Sequence, residues 1–491
     1  MIQRNLAGAA GREFDLVIAG GGIYGASLLQ EAARRGLSAC LCEANDFGSG
    51  TSWNSLRIVH GGLRYLQTMD LPRFFQSVAS RRRIARRFPA LVRPLACLMP
   101  LYGSGLKRPS VMRMALLAND ALSMRRNVGL GAHVRLDNGR ILDAAATRRE
   151  FPHVRSDGLE GAARWCDYFM VSSERILVEL LRDASRHGAL VLNYVRVQDI
   201  IAEGGRVHGV VARDSLSGAT VTLRTRVVVN CTGARLRTLA EGRGGDATAL
   251  FRPSLAFNLL LDASLPVTTA LAVAAPRSDA PVLFLVPQNG SMLAGTMHLP
   301  RPAGTMDAKP TKEELERYLA EVRAAIPGFD VRLSNVRRVF AGLLPVTTEG
   351  TVDLTKREAL TDHGSAGGLQ GLYSVSGIKF TTANNIVPQI LSMMRASGRA
   401  GEAYRDRDAE LPTSAATPLL IDARRLWTED PADCREALLQ TVRDEAVQSL
   451  DDLILRRTNW ATTELDLERV RQRVAELVGT RIALPDSRMA V

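Results

Sequence analysis

Gly20, Gly22 and Gly25 stand at the spacing of a turn that can carry a dinucleotide pyrophosphate, within Gly20-Gly21-Gly22-Ile23-Tyr24-Gly25. Gly20 would permit the tight turn, Gly22 would let the backbone approach the phosphates, and Gly25 would let the following helix pack closely on its strand. Glu43 lies 18 residues beyond Gly25, where a carboxylate can accept hydrogen bonds from a ribose and would repel a 2′-phosphate, an argument against NADP. Such a glycine pattern alone is weak evidence. Its setting gives it weight.

The positioning elements read in the order strand, turn, helix, strand. Phe14–Ala19 is a short apolar run, Ala26–Arg35 has helical periodicity, and Leu37–Cys42 is a second apolar strand ending at Glu43. This β-α-β unit accommodates FAD and NAD equally. Two later segments repeat the strand-to-glycine signal: Arg226–Gly233, which would return the chain to the nucleotide sheet, and Leu372–Ser376 running into Gly377 and a helix over Thr381–Arg395. Helices are expected over Leu71–Phe88, Val111–Arg126 and Ser173–His187, and strands over Ala189–Val195, Val197–Ala202 and Val207–Arg213. Strands at Leu255–Leu261, Val282–Pro287 and Ser291–Gly295, with a helix at Lys312–Ala325, suggest an antiparallel sheet over the cofactor. Amphipathic helices over Cys434–Val442, Glu445–Arg456 and Leu465–Val478 suggest a helical tail. The expected fold class is α/β: a discontinuous Rossmann-type nucleotide-binding domain (13–250 and 341–400), an antiparallel-sheet substrate cap (251–340) and a small C-terminal helical domain (401–491).

A chain of 491 residues, 46% hydrophobic, can bury a sizeable core without disulfides. Six scattered cysteines form no C-x-x-C pair and no zinc or iron–sulfur spacing, so no metal is expected and the thiols suit a reducing cytoplasm. Met1–Arg12 has no long apolar run, and no later stretch has the roughly 18 uninterrupted apolar residues of a spanning helix. A cytoplasmic protein is expected. The net charge of +12 includes Arg81, Arg82, Arg83, Arg86 and Arg87 on one expected helix. This cluster is either a solvated face or a peripheral contact with an anionic membrane surface. Nucleic acid is excluded as a partner, because no aromatic residues interleave with the charges and no reader motif is present.

The polar stretch from Asp46 to Tyr65, Asp-Phe-Gly-Ser-Gly-Thr-Ser-Trp-Asn-Ser-Leu-Arg-Ile-Val-His-Gly-Gly-Leu-Arg-Tyr, strongly resembles the signature of the FAD-linked glycerol-3-phosphate dehydrogenases, within the broader group of D-amino-acid-oxidase-like FAD oxidoreductases. The likeness extends to Ala341–Pro345, to Gly377-Ile-Lys-Phe-Thr-Thr382, and to the tail around Val442–Ala446 and Arg456–Thr458, and so spans nearly the whole chain. It implies FAD as the cofactor. The loop with Gly50, Thr51 and Ser52 would run beneath the pyrophosphate toward the flavin, and Gly233, Gly377 and Thr381 would complete the cofactor site. It also implies that His60, Arg64 and Tyr65 border the substrate, and that Lys379 places a positive charge near the flavin and the substrate phosphate.

The sequence departs from that family at three places. Leu344 stands where members that oxidise glycerol 3-phosphate carry a phosphate-binding arginine, which removes a bidentate anchor. The Ser254–Asn258 strand lacks their histidine; Asn258 can hydrogen-bond a substrate but cannot act as a base. Asn384 replaces a further arginine. His60, or His298 in Gly295-Thr-Met-His, would supply the proton acceptor that oxidation of a carbinol needs. The leading expectation is an FAD-dependent dehydrogenase that oxidises sn-glycerol 3-phosphate or a close polyol phosphate to dihydroxyacetone phosphate or its analogue, by hydride transfer to flavin N5, with quinone or oxygen as acceptor. Two alternatives stay open: an oxidase of an amine, amino acid or hydroxy acid whose carboxylate Arg64 would bind, and a non-catalytic flavoprotein acting through its helical tail. A homodimer is one assembly compatible with the sequence.

Overall fold

The computed structural model describes residues 1–396, 422–463 and 465–479, apart from residues 104, 106, 107, 245 and 289. The apolar run at Leu16–Ala19 forms the centre of a six-stranded sheet ordered Ala359–Asp362, Leu372–Ser376, Val228–Asn230, Leu16–Ala19, Ala39–Cys42, Leu190–Leu192. All pairs but the first are parallel. The four central strands are wholly buried, as the apolar runs Leu16–Ala19 and Ala39–Cys42 require, and they bury Asn230, Ser374 and Ser376 along with their apolar residues. Ala19 is in register with Cys42 and with Asn230, and Asn230 with Ser374. Gly20, Glu43, Gly233 and Gly377 therefore emerge along one carboxyl edge, where ligands bind in open α/β sheets.

The second layer is a nine-stranded sheet ordered Val336–Pro345, Pro253–Leu261, Ser291–Pro300, Leu283–Gln288, Ala270–Val273, Val92–Leu101, Gly161–Met170, Ile58–Val59, with Arg140–Asp143 also on Gly161–Met170. It thus draws strands from 58–170 as well as from the expected 251–340 segment. Its far face is covered by Lys312–Ala325, which is closed by a Thr311–Glu314 capping box and buries Tyr318, Leu319 and Val322. A four-stranded sheet (Glu13–Phe14, Thr220–Thr225, Arg206–Asp214, Val195–Glu203) flanks the nucleotide layer. The Ala189–Val195 stretch is divided between Leu190–Leu192 and the start of this sheet.

Several expected helices are shorter or differ in type. The helix from Pro109 ends at Leu122 and continues as a 3₁₀ turn, Met124–Asn127. The helix expected from Thr381 starts at Val387, because the preceding residues form the Lys379 turn and a 3₁₀ segment at Ala383–Asn385. Glu445–Arg456 is not a continuous α-helix. Asp452 accepts from the backbone N–H groups of Gln448 and Ser449, Ala446 sits at φ 52°, and the chain becomes helical only from Leu450, with Asp452–Arg457 in the π form. Side-chain bonds to the local backbone compete with helix propagation there. The tail keeps its own core around Leu426, Leu438, Leu453, Trp460 and Val474. Residues 401–421, 464 and 480–491 of the expected tail, and 397–400 just before it, lie outside the described residues.

The arginine cluster is not one solvated face. Arg81 and Arg87 point inward, to Asp167 (2.7 Å) and Asp183 (3.2 Å), while Arg83 and Arg86 are exposed. All six cysteines are unpaired. Among the described residues no helix is long and apolar enough to cross a membrane, and no cluster could hold a metal ion.

Candidate active site

A cavity of about 1630 Å³ opens at the carboxyl edge of the parallel sheet and is walled by the larger sheet. Drug-sized ligand sites run to roughly 1,000 Å³, so this one has room for a dinucleotide and a small substrate together. Gly20, Gly22, Glu43, Gly50, Thr51, Ser52 and Gly233 line one arm; His60, Arg64, Tyr65, Asn258, His298, Gly377 and Lys379 line the other. Gly25 and Thr381 do not line it.

The glycine turn is fixed by sterics. Gly20 sits at φ 106°, and a Cβ there would stand 2.5 Å from the Cys231 carbonyl oxygen. A Cβ on Gly25 would come within 2.0 Å of the Gly20 carbonyl oxygen, which is why Gly25 serves packing rather than lining. Gly22 caps the helix Ile23–Arg34 with no side-chain acceptor, so the first-turn N–H groups face the cavity, and the Ile23 N–H meets the Ser52 hydroxyl at 3.0 Å. Glu43 accepts from the N–H groups of Gly21 (2.6 Å) and Asn45 (2.9 Å), while burial raises its pKa. This open helix end, bordered by a carboxylate and with open space at Gly50, fits an ADP moiety.

The loop after Glu43 is held from below by the tail. Asp46 is fully buried and takes Arg457 (2.8 and 2.9 Å) and Arg456 (2.6 Å). Burial opposes its ionisation, but the two guanidinium charges win and hold its carboxyl well below the usual range. Thr51 donates to the Leu343 carbonyl at 3.1 Å, tying the same loop to the large sheet.

At the far end, register creates a pair that sequence spacing did not suggest. Val59 is aligned with Tyr168 in antiparallel pairing, which brings His60 beside Asp167. The His60 Nδ1 lies 3.3 Å from one Asp167 oxygen, which also accepts from the Trp165 indole N–H at 3.2 Å; the other oxygen accepts from Gly61 N–H and Arg81, both at 2.7 Å. Burial pushes the Asp167 pKa upward, but the His60 bond and the Arg81 charge outweigh it and hold it at about 2. His60 itself is half exposed toward the cavity, edge-on to Phe284 at 5.2 Å. The signal for Arg81 was present: Phe74, Ser77, Arg81, Ile84 and Phe88 repeat at helical spacing and are all buried. Asp167 is the lone carboxylate of its strand, whose one other charge is Arg164.

Tyr65 is ringed by cations. Lys379 hydrogen-bonds its hydroxyl and lies 4.5 Å from its ring centroid, Arg73 sits 4.3 Å over the ring, and Arg64 is 6.0 Å away. Tyr24, which the glycine pattern had not singled out, fixes the Lys379 turn. Its hydroxyl donates to the Lys379 carbonyl (3.3 Å) and accepts from the Lys379 N–H (3.4 Å). A Cβ on Gly377 would fall 2.0 Å from that hydroxyl, so the glycine makes room for Tyr24.

Asn258 does not present a free amide to the cavity. It donates to Asn54 O at 3.1 Å and accepts from the Thr296 hydroxyl at 2.7 Å, and so ties the loop to the sheet. His298 does face the cavity; burial and then Arg64 lower its pKa, which favours the neutral ring, and its buried Nδ1 has no hydrogen-bond partner among the described residues. Leu344 lines the cavity as an apolar wall, whereas Asn384 does not reach it.

A glycine-rich helix end and a sheet-walled cavity of this size, with a histidine–carboxylate pair and a lysine at its far end, define a dinucleotide-dependent oxidoreductase. The chain belongs to the FAD dependent oxidoreductase family, whose model matches residues 15–383, and FAD is its cofactor. It is 29% identical over 338 residues to an alpha-glycerophosphate oxidase of Streptococcus pyogenes serotype M1, a match covering 68% of this chain and 54% of that protein. It is 27% identical over 435 residues to a glycerol-3-phosphate dehydrogenase of Synechocystis, covering 86% and 77%. The chain thus matches about half the length of the glycerophosphate oxidases. Its fold is like that of the glycerol-3-phosphate dehydrogenase from Bacillus halodurans complexed with FAD, with a TM-score of 0.70, 20% identity and 99% and 98% coverage.

Proposed function

We propose that the protein oxidises sn-glycerol 3-phosphate, or a close polyol phosphate, at its secondary carbinol to the ketone. The observation that carries this reading is the meeting of two features at one end of the cavity: the His60–Asp167 pair, and the cations around Tyr65. Bound FAD would supply the acceptor for the hydride of the carbinol carbon. Asp167 holds His60 through Nδ1, leaving Nε2 to accept the hydroxyl proton. Lys379 and Arg64 face the substrate anion; neither has a carboxylate within ion-pair distance among the described residues, so their charge is available to it. The matches to a glycerophosphate oxidase and a glycerol-3-phosphate dehydrogenase support the same substrate class.

Steady-state oxidation with an artificial electron acceptor, with product identification, tests this. Dihydroxyacetone phosphate formed from glycerol 3-phosphate, and far slower turnover of glycerol, is the expected result. The apolar wall at Leu344 favours a second reading, a donor bearing a carboxylate; faster turnover of an amino or hydroxy acid would establish it.

Quinone is the acceptor supported best. Val111, Met114 and Leu117 are exposed on the helix Pro109–Leu122 beside exposed Arg113, a face that suits an anionic lipid surface. Sedimentation with phosphatidylglycerol vesicles, lost in M114E/L117E, is expected; no sedimentation would remove this support for quinone.

A further inference from the structure

We propose that Arg73 supplies the fixed guanidinium that holds the substrate's anionic group, in place of the arginine absent at Leu344. This deepens the polyol phosphate reading and rests on it. Arg73 lines the cavity together with Leu344 and Lys379, and meets Lys379 at Tyr65. It lies in the first turn of the helix Leu71–Arg87, whose N-cap Asp70 accepts from the Arg73 N–H at 3.2 Å. Its side chain is only 16% exposed, so the helix sets its position.

Two properties distinguish Arg73 from a structural arginine. First, its donors are poorly used: the Tyr65 hydroxyl is at 3.4 Å and the Asp70 carboxylate at 3.5 Å, both at the limit of a hydrogen bond. A guanidinium has five N–H donors in a fork that matches phosphate or carboxylate oxygens two at a time. Second, Arg73 and Lys379 converge on one phenol oxygen and both lie against the Tyr65 ring, so Tyr65 holds together two cations that would otherwise repel. With Arg64, three positive groups surround Tyr65, and among the described residues Asp70 alone forms an ion pair with one of them. The surplus of two matches a phosphate monoester, which carries about −1.5 to −2 charges at pH 7.

The test uses the purified holoenzyme of the native chain and of Arg73→Leu and Arg73→Lys, the lysine variant guarding against a folding defect. Inorganic phosphate is titrated while the visible flavin band and the heat of binding are followed, and flavin reduction by glycerol 3-phosphate is then recorded anaerobically. Arg73→Leu is expected to weaken phosphate binding about 10- to 100-fold, as expected for a lost charge-assisted pair, with Arg73→Lys in between. The half-saturating glycerol 3-phosphate concentration should rise by a similar factor, with a much smaller effect on the limiting rate. Phosphate binding within about twofold of the native value in both variants overturns the assignment, even if glycerol 3-phosphate remains a substrate. If phosphate binding depends on Arg73 but glycerol 3-phosphate does not reduce the flavin, the anion subsite stands and the substrate reading falls.

Discussion

Asp167→Asn probes stability and catalysis through one atom. In the native protein one carboxylate oxygen serves Gly61 and Arg81, and the other faces Trp165 and His60. Asparagine must present an NH₂ to one of these donor pairs. If it faces His60, Nδ1 has to accept, the proton moves to Nε2, and Nε2 can no longer take a proton from the substrate. The limiting rate of anaerobic flavin reduction should then fall about 10²- to 10⁴-fold, the range a general base contributes, with a far smaller change in half-saturation. Arg81, 4% exposed, would also lose its counter-charge and keep only neutral acceptors, the amide oxygen at 167 and the Cys166 carbonyl at 3.2 Å. Removing one member of a buried ion pair costs about 3–5 kcal/mol, to be read as a shift in the urea midpoint of the holoenzyme. Adding Arg81→Met should recover most of that stability and none of the rate. A folded Asp167→Asn protein whose reduction rate is within about threefold of native would refute the assignment of His60 as proton acceptor.

Other consequences follow from the same contacts. Asp167 has a pKa of about 2 against roughly 3.9 for an unperturbed aspartate. The unfolded chain therefore takes up the proton first, and about 2–3 kcal/mol of stability present above pH 4 should disappear as pH falls toward 2; acid unfolding of Asp167→Asn/Arg81→Met should lack that part of the slope. Arg457→Met removes two of the bonds to Asp46 and leaves Arg456 and Asn193; FAD should dissociate more readily, and an unchanged FAD Kd would mean that the tail does not support the cofactor loop. Gly20→Ala combines a φ of 106° with a 2.5 Å approach to the Cys231 carbonyl, a strain of at least about 1–3 kcal/mol; it should purify with little flavin, and full flavin content would contradict the tight-turn account.

The nucleotide half of the site was legible because its determinants are local. Gly20, Gly22, Gly25 and Glu43 act within one β-α-β unit, and the register of the parallel sheet follows from apolar strands that leave no other face to bury. The substrate half depends on pairings between distant segments. His60 and Asp167 are 107 residues apart and meet only because Ile58–Val59 joins the edge of the nine-stranded sheet. Asn258 was readable as a polar residue in a core strand, but its commitment to Asn54 and Thr296 was not. Arg81 and Arg87 looked like part of a charged face because their neutralising partners, Asp167 and Asp183, lie on other elements. Gly377 was expected to yield room to the flavin, and its neighbour is the Tyr24 hydroxyl, which comes from the other end of the chain. Strands such as Val92–Leu101 and Gly161–Met170 escaped notice because they are buried on both faces and show no alternation, and the charges of the second, Arg164 and Asp167, are neutralised by Glu150 and Arg81 from helices.

The central claim is tested most directly by anaerobic mixing of the purified flavoprotein with sn-glycerol 3-phosphate beside glycerol, glycerate and a panel of amino acids, while the visible flavin band is followed. The account predicts rapid bleaching by glycerol 3-phosphate and little by the unphosphorylated donors. Bleaching by an amino acid or by glycerate, with none by glycerol 3-phosphate, would contradict it.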